Sequence, residues 1–247
     1  MNLSICVPNH KNPELLSVFL AQIQKLKALV DFELIVVDSG ACEKSFELLV
    51  SDKSVDKYLS EPDKGIYDAF NKAVSLATKE WILFMGVDDK IISKDNLLQH
   101  VNFISTASKN IVSFPVFLNL KKSQIISKPF NFVNKGVPHM TCSHQGIYHR
   151  RSYIKINKFD TKMEIASDYK MFLNAVVNKD IVSSDIPPAV LMNYSGISSQ
   201  NSNQLKLYFE CMESYKKVVG FSPNILFKFN FFFRSLLKVI YAKTFSK

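Results

Sequence analysis

The chain reads as an α/β protein: a mostly parallel central sheet, doubly wound, flanked by helices, with a helical extension at its carboxyl end. Three observations carry that expectation. Strand-like and helix-like apolar patterns alternate through residues 3–85, the order that builds parallel strands with crossover helices. Trp81-Ile82-Leu83-Phe84-Met85 is an unbroken apolar run, as expected of a strand buried on both faces. That run ends in Gly86-Val87-Asp88-Asp89, which puts two acids at the carboxyl end of a buried strand. In open α/β sheets that edge binds ligands.

The elements follow in order. Leu3 to Val7 is the first strand, and Pro8-Asn9-His10-Lys11-Asn12-Pro13 is a loop. Leu15, Leu16, Phe19, Ile23 and Leu26 give one apolar helix face beginning near Pro13. Phe32 to Val37 is the second strand and ends at Asp38-Ser39-Gly40. Phe46 to Val50 is a helical turn or two, and Tyr58-Leu59 a short third strand. Glu61-Pro62-Asp63-Lys64-Gly65 holds the breakers of a turn. Tyr67, Phe70, Val74 and Ala77 then mark the helix before the fourth strand. Past Asp89, residues 91–104 read as helix, 111–120 as one strand with 124–126 pairing against it, and 137–149 as a loop leading into a strand. Residues 168–177 read as a helix with Ser167 as N-cap. Short strands broken by Pro187-Pro188 fill 181–194, and two helices, 201–219 and 224–243, close the chain. The partition is a catalytic domain over 1–200 and a helical, basic and aromatic extension over 201–247.

Composition narrows the class. Of 247 residues 47% are hydrophobic and 21% charged, so the chain is globular rather than disordered. Cys6, Cys42, Cys142 and Cys211 are scattered without a CxxC pair, which fits reduced, mostly buried thiols in a cytosolic protein and excludes a disulfide frame or a zinc site. The amino end breaks at Pro8 without a basic region and reads as a strand, not a signal peptide. Net charge is +9, and residues 206–247 hold eight bases against two acids, +6 of that excess. The partner of this tail is expected to be anionic, a membrane surface before a nucleic acid. Bases Lys228, Arg234 and Lys238 interrupt its aromatic run, which suits a helix lying in the headgroup layer better than one spanning a bilayer. The other reading of the tail is a helix packed on the catalytic domain or in a homodimer interface.

Three carboxylate positions could carry chemistry. Asp38 ends strand two, where an acid commonly meets a nucleoside; it could equally cap a turn. No GxGxxG follows strand one, so a dinucleotide site is not expected. Asp88-Asp89 suits a hard divalent cation, which takes one or two protein oxygens with phosphate and water completing its shell; the alternative is a solvated turn. Asp168 sits in a first helical turn, where the dipole favours the ionised form, a common structural placement in its own right. His139 and His144 stand in a loop, and Lys64 beside Gly65 could meet a phosphate or only solvent.

The run Glu61, Asp63, Gly65, Ile66, Tyr67, Asp68, Ala69, Asn71 and Lys72 resembles the inverting, nucleotide-sugar-dependent family 2 glycosyltransferases of the GT-A, Rossmann-like fold, in particular bacterial members that build surface polysaccharides. The resemblance extends to Phe32–Ser39, His144-Gln145, Phe159-Asp160, Ile165–Tyr169 and Tyr194–Ser198, covering about residues 1–200. It implies that Pro8, Asp38 and Asp63 hold the nucleoside, with Lys64 nearby. It implies that Asp88, with Asp89, binds the Mn²⁺ or Mg²⁺ that bridges the donor diphosphate. Asp168 would be the general base and His144 and Gln145 would line the acceptor or sugar pocket. Gly86 stands where the family's DxD motif has its first acid. The implied reaction moves a sugar from a nucleotide-diphosphate donor to a lipid-linked or polysaccharide acceptor, with inversion, at the cytoplasmic face of the cell membrane. The rival readings are a catalytically silent homologue that binds a nucleotide sugar or scaffolds an assembly, motivated by Gly86, and a basic nucleic-acid-binding protein. The concentration of charge in the tail argues against the second.

Overall fold

The computed structural model describes residues 2–40, 42–120, 123–127, 142–193, 200–222, 225, 228–233 and 235–237. Its elements are β1 (Leu3–Asn9), α1 (Pro13–Lys27), β2 (Glu33–Asp38), α2 (Glu43–Ser51), β3 (Lys57–Ser60), α3 (Ile66–Leu76), β4 (Trp81–Phe84) and β5 (Lys90–Ile91). Then come α4 (Lys94–Ser105), β6 (Ile111–Ser113), β7 (Val116–Leu120), β8 (Ser123–Ser127), β9 (Ile147–Arg150), α5 (Arg151–Ile156), α6 (Ser167–Val177), β10 (Ile181–Ser183), β11 (Val190–Asn193) and α7 (Gln204–Val219).

Seven strands form the main sheet in the order β10-β6-β9-β4-β1-β2-β3. All neighbours pair in parallel except β9, which runs antiparallel between β4 and β6. The chain winds outward from β1 through β2 to β3, then returns to lay β4 on the other side of β1. That reversal opens a crevice at the carboxyl ends of β1 and β4. A second sheet, β5-β11-β7-β8, stands beside it.

The buried strands sort their side chains by the period of two. Leu3, Ile5, Val7, Leu34, Val36, Trp81 and Leu83 face a core closed by Leu16, Phe19, Leu20 and Ile23 of α1 and Leu97 of α4. Cys6, Ile35, Val37, Ile82 and Phe84 face the opposite core, closed by Phe70 and Ala73 of α3 and Met171, Phe172 and Ala175 of α6. All four cysteines are free thiols, three of them buried.

Two local expectations are corrected. Residues 111–120 are two strands in two sheets, not one strand. Pro115, between them, has no N–H to donate to a ladder, so pairing stops there; Phe114 N bonds Gly146 O instead. Ser167 is not an N-cap but the first residue of α6, and its Oγ accepts from Asp160 N at 2.6 Å.

At the amino edge of the main sheet lies Glu33, 6% exposed. Ser4 Oγ donates to it at 2.5 Å, Thr78 N at 2.8 Å and Thr78 Oγ1 at 2.7 Å, while Lys57 Nζ stands 3.1 Å away. Burial pushes its carboxyl up, but these partners outweigh burial and hold it at about 2. One carboxylate thereby ties together β1, β2, β3 and the turn before β4.

α7 packs across α6, with Ala166, Tyr169 and Leu173 meeting Cys211 and Tyr215. Within 225–237 the described residues are helical. Phe231 and Phe232 pack on Tyr208, with ring centroids 5.3 and 5.5 Å away. Among the described residues, no helix is long and apolar enough to cross a membrane. His139, the stretch Tyr194–Ser198 and much of 222–247 lie outside the described residues.

Candidate active site

The turn at 61–65 is braced from within. Asp63 Oδ1 accepts from Gly65 N at 2.9 Å, and Gly65, with φ +105°, starts α3. Lys72 gathers the turn onto the helix: its Nζ lies 2.9 Å from Glu61 Oε1, 3.3 Å from Asp68 Oδ2 and 2.9 Å from Pro62 O. Lys64 is exposed, and its backbone N–H donates to Asp68. The turn also lies against the end of β2. Glu61 N donates to Asp38 O, and a Cβ on Gly40, which has φ +67°, would stand 3.0 Å from Glu61 Cα. Only glycine suits that combination of left-handed backbone and close approach.

Asp38 is fully buried. Asn9 Nδ2 donates to its Oδ1 at 2.6 Å, and Gly40 N and Ser60 Oγ donate to Oδ2 at 2.9 and 3.1 Å. It therefore locks the ends of β1, β2 and β3 together. Pro8 is half-buried beside it and pairs in register with Val37. Asp63 is the half-exposed acid of this edge.

The acid pair after β4 divides. Asp88 is half-buried, whereas Asp89 is 3% exposed. Asp89 Oδ2 accepts from Gly86 N at 2.6 Å, and the Gln145 side chain also bonds Asp89. Burial, then the charge of Asp88, pushes Asp89 up to about 7 against the pull of those donors. A Cβ on Gly86 would lie 2.6 Å from Asp88 Oδ1, so the glycine gives the Asp88 carboxylate its room. Among the described residues no group of three or more His, Cys, Asp or Glu side chains gathers as a metal cage. An ion held by one or two carboxylates with phosphate and water needs no such cage. Asp88 fits that mode, and the raised carboxyl of Asp89 marks a spot where added positive charge is favourable.

Asp168 stands in the first turn of α6. Tyr67 OH donates to its Oδ1 at 2.8 Å, and Tyr169 N bonds the same oxygen at 2.9 Å. His144 Nδ1 lies 3.9 Å from Oδ2. Burial and then the charge of Asp168 push the Tyr67 phenol well above its usual range, so Tyr67 remains a donor. Burial pushes His144 down, against the pull of Asp168, which favours a neutral ring beside the carboxylate. The His144 ring stacks on Phe70 at 5.4 Å and lies 5.7 Å from the ring of His149. Burial, then His144, pushes His149 well below its usual range. Neither ring nitrogen of His144, nor Gln145 Oε1, has a hydrogen-bond partner among the described residues. Adjacent residues thus join the two acidic centres: His144 faces Asp168 and Gln145 holds Asp89.

Two contributors escaped the sequence reading. Tyr67 and Asn71 counted as members of the resembling run, and Tyr67 also as part of an apolar helix face, without a role of their own, yet the Tyr67 hydroxyl crosses 101 positions to reach Asp168. Asn71 clamps the backbone of Phe159, donating to its O at 2.9 Å and accepting from its N at 3.0 Å. The available signal was a tyrosine and an asparagine on the buried side of a helix, each needing a polar partner.

A switch-point crevice with an acid pair in the turn after β4 and a separate carboxylate at the start of α6 is an arrangement suited to group transfer. The model of glycosyl transferase family 2 matches residues 4–179, and the chain belongs to that family, a glycosyltransferase by class. Curated relatives include the PGL/p-HBAD biosynthesis glycosyltransferases of Mycobacterium bovis and Mycobacterium tuberculosis. They are 24% identical over 192 residues, covering 73% of this chain and 72% of theirs. S. aureus TarS 1–349, solved with UDP-GlcNAc, superposes with a TM-score of 0.65 at 16% identity, over 99% of this chain and 73% of that one. The mannosyltransferase PcManGT from Pyrobaculum calidifontis, solved with GDP-Man and Mn²⁺, gives 0.63 at 13% identity, over 99% and 75%. These structures bear out the expected GT-A fold.

Proposed function

We propose that the protein transfers one sugar from a nucleotide-diphosphate donor to a lipid-linked or polysaccharide acceptor, with inversion at the anomeric carbon. The observation that carries this reading is the bond from Tyr67, in the Gly65–Lys72 run, to Asp168. It joins the loop beside the β2 edge to a carboxylate that accepts a phenol's hydrogen bond and lies beside the His144 ring.

Asp168 takes the proton of the acceptor hydroxyl as that oxygen attacks the anomeric carbon and the nucleoside diphosphate leaves from the opposite face. Tyr67 fixes one carboxylate oxygen and leaves the other open to the acceptor. The His144 nitrogens and Gln145 Oε1, unpartnered among the described residues, suit sugar hydroxyls, since buried polar atoms otherwise lack compensation. Pro8, Asp63 and Lys64 edge the nucleoside end. Asp38 sets its floor, since a nucleoside reaches that carboxylate only if Asn9 or Ser60 gives way. Asp88, with Asp89 behind it, would hold Mn²⁺ or Mg²⁺, which would neutralise charge on the departing diphosphate. The solved relatives' UDP-GlcNAc and GDP-Man support a nucleotide sugar as donor.

The tail supports work at a membrane face. Ile225, Phe229, Phe233 and Leu237, spaced by four on one helical stripe, are 83%, 58%, 44% and 62% exposed. With the basic excess of 206–247, this suits an anionic bilayer surface. Deleting 222–247 is expected to release the protein from phosphatidylglycerol liposomes in a flotation assay. Undiminished flotation makes the stripe a homodimer or packing surface instead.

The donor is identified by calorimetry with UDP-, GDP- and dTDP-sugars, with and without Mn²⁺. Asp88→Ala is expected to lose about tenfold in donor affinity with Mn²⁺ and little without it. Equal affinity in both conditions removes the metal role. Binding of a donor without turnover favours the silent homologue.

A further inference from the structure

Helix α6 carries the proposed base but begins without a cap of its own. Ala166 at the N-cap makes no side-chain cap, and Ser167 Oγ is engaged with Asp160 N. The grip comes from another helix. Glu210 on α7 accepts three successive backbone N–H groups in the turn that enters α6: Glu164 at 3.0 Å through Oε1, and Ile165 at 2.9 Å and Ala166 at 2.8 Å through Oε2. Hydrogen bonds to an ionised acceptor are about twice as strong as neutral ones. The same turn is held at its flanks. Lys206 pairs with Glu164, and Ser214 Oγ meets Met163 Sδ at 3.7 Å. Ala166 is two residues from Asp168, and α7 lies beyond the family match at 4–179.

We infer that Glu210 is a positioning residue for the reaction: its carboxylate fixes the entry turn of α6 and thereby the direction in which Asp168 meets the acceptor oxygen. The inference rests on the reading of Asp168 as base. It makes α7 part of the working site, although Glu210 touches no reacting atom. A carboxylate taking three N–H groups in a row fixes the turn as a unit. Loss of that grip is therefore expected to misdirect Asp168 without disturbing the nucleotide edge at β1 and β2.

The test uses the full chain, with water as acceptor and release of UDP, GDP or dTDP from UDP-GlcNAc, GDP-Man and dTDP-glucose, respectively, as the readout. Amide exchange is followed by mass spectrometry. In Glu210→Ala, amides 163–169 are expected to exchange about tenfold faster while those of β1–β4 keep their rates. Donor hydrolysis is expected to lose about tenfold in kcat, with donor KM kept within about twofold. Glu210→Gln, which retains one carbonyl acceptor, is expected to recover part of both. An unchanged kcat in Glu210→Ala, or a loss confined to KM, overturns this inference alone. Absence of hydrolysis by the unaltered chain with every donor overturns the base reading and this inference with it. Where Glu210→Ala does not fold, Glu210→Gln is read alone: about a threefold loss in kcat is expected, and an unchanged kcat overturns the inference.

Discussion

Glu33 and Asp89 are both buried carboxylates at opposite edges of the main sheet, Glu33 opening β2 and Asp89 in the turn after β4, and their environments push them in opposite directions. Glu33, at the amino edge, has Ser4, Thr78 and Lys57 arranged around it and is held at about 2. Asp89, at the carboxyl edge, is pushed up to about 7 by burial and then by the charge of Asp88. The amino edge satisfies its charge and thereby joins strands. The carboxyl edge concentrates acids, the buried His144 ring and polar atoms unpartnered among the described residues, an arrangement that a ligand would complete. Stability and chemistry are thus separated along one sheet by about the length of a strand.

Substitutions at each edge test that contrast. The largest effect is expected from Asp168→Asn, about 10²–10⁴-fold in transfer rate with donor affinity and thermal midpoint nearly unchanged. Tyr67→Phe, which removes only the hydroxyl, should cost about tenfold in kcat. Wild-type turnover in Asp168→Asn, measured by nucleotide release, would remove it as the base.

Glu33→Gln should do the reverse, lowering unfolding free energy by about 3 kcal/mol near pH 7 and leaving turnover of the folded fraction intact. The sign follows from the depressed carboxyl. Its stabilisation is present above the ordinary value of 4.5 and is lost as pH falls toward about 2. Urea titrations between pH 5 and 3 should therefore show the two proteins converging. A constant difference across that range would mean packing, not charge, supplies the effect.

The smallest effect is expected from Asp89→Asn. The raised carboxyl contributes stability that is full below 3.8 and is lost as pH rises through about 7. The variant should gain about 1–2 kcal/mol on the wild type between pH 6 and pH 8 without metal. Mn²⁺ should narrow that gap if the ion sits beside Asp88. A gap that stays flat from pH 5 to 8 would place Asp89 outside the electrostatic contrast.

Much of this was legible beforehand because the signals were local. The unbroken apolar run of Trp81 to Phe84, the helix face of Tyr67, Phe70 and Val74, and the breakers at 61–65 gave both the sheet and the loop its carboxyl edge presents. The antiparallel entry of β9 was not legible, because Ile147-Tyr148-His149 reads the same in either direction. The break at Pro115 was visible as a residue but not as a change of sheet. Asp38, Asp63, Asp88, Asp89 and Asp168 were found as acids at element ends. Their degree of closure was not, since burial of a strand-end side chain depends on what Asn9, Ser60 and Gln145 do across the fold.

The α/β class, the resemblance to family 2 and the acids at the ends of elements could be read from the sequence, because periodicity and turn chemistry are properties of neighbouring residues. Tertiary structure alone decided the partners: Tyr67 on Asp168, Gln145 on Asp89, and Glu210 on the turn before α6. Each of those bonds joins residues dozens of positions apart, and no spacing rule encodes a contact that exists only once the sheet has closed. The boundary drawn at residue 200 shows the consequence. It separates Asp168 from the carboxylate of Glu210 that holds its helix in place.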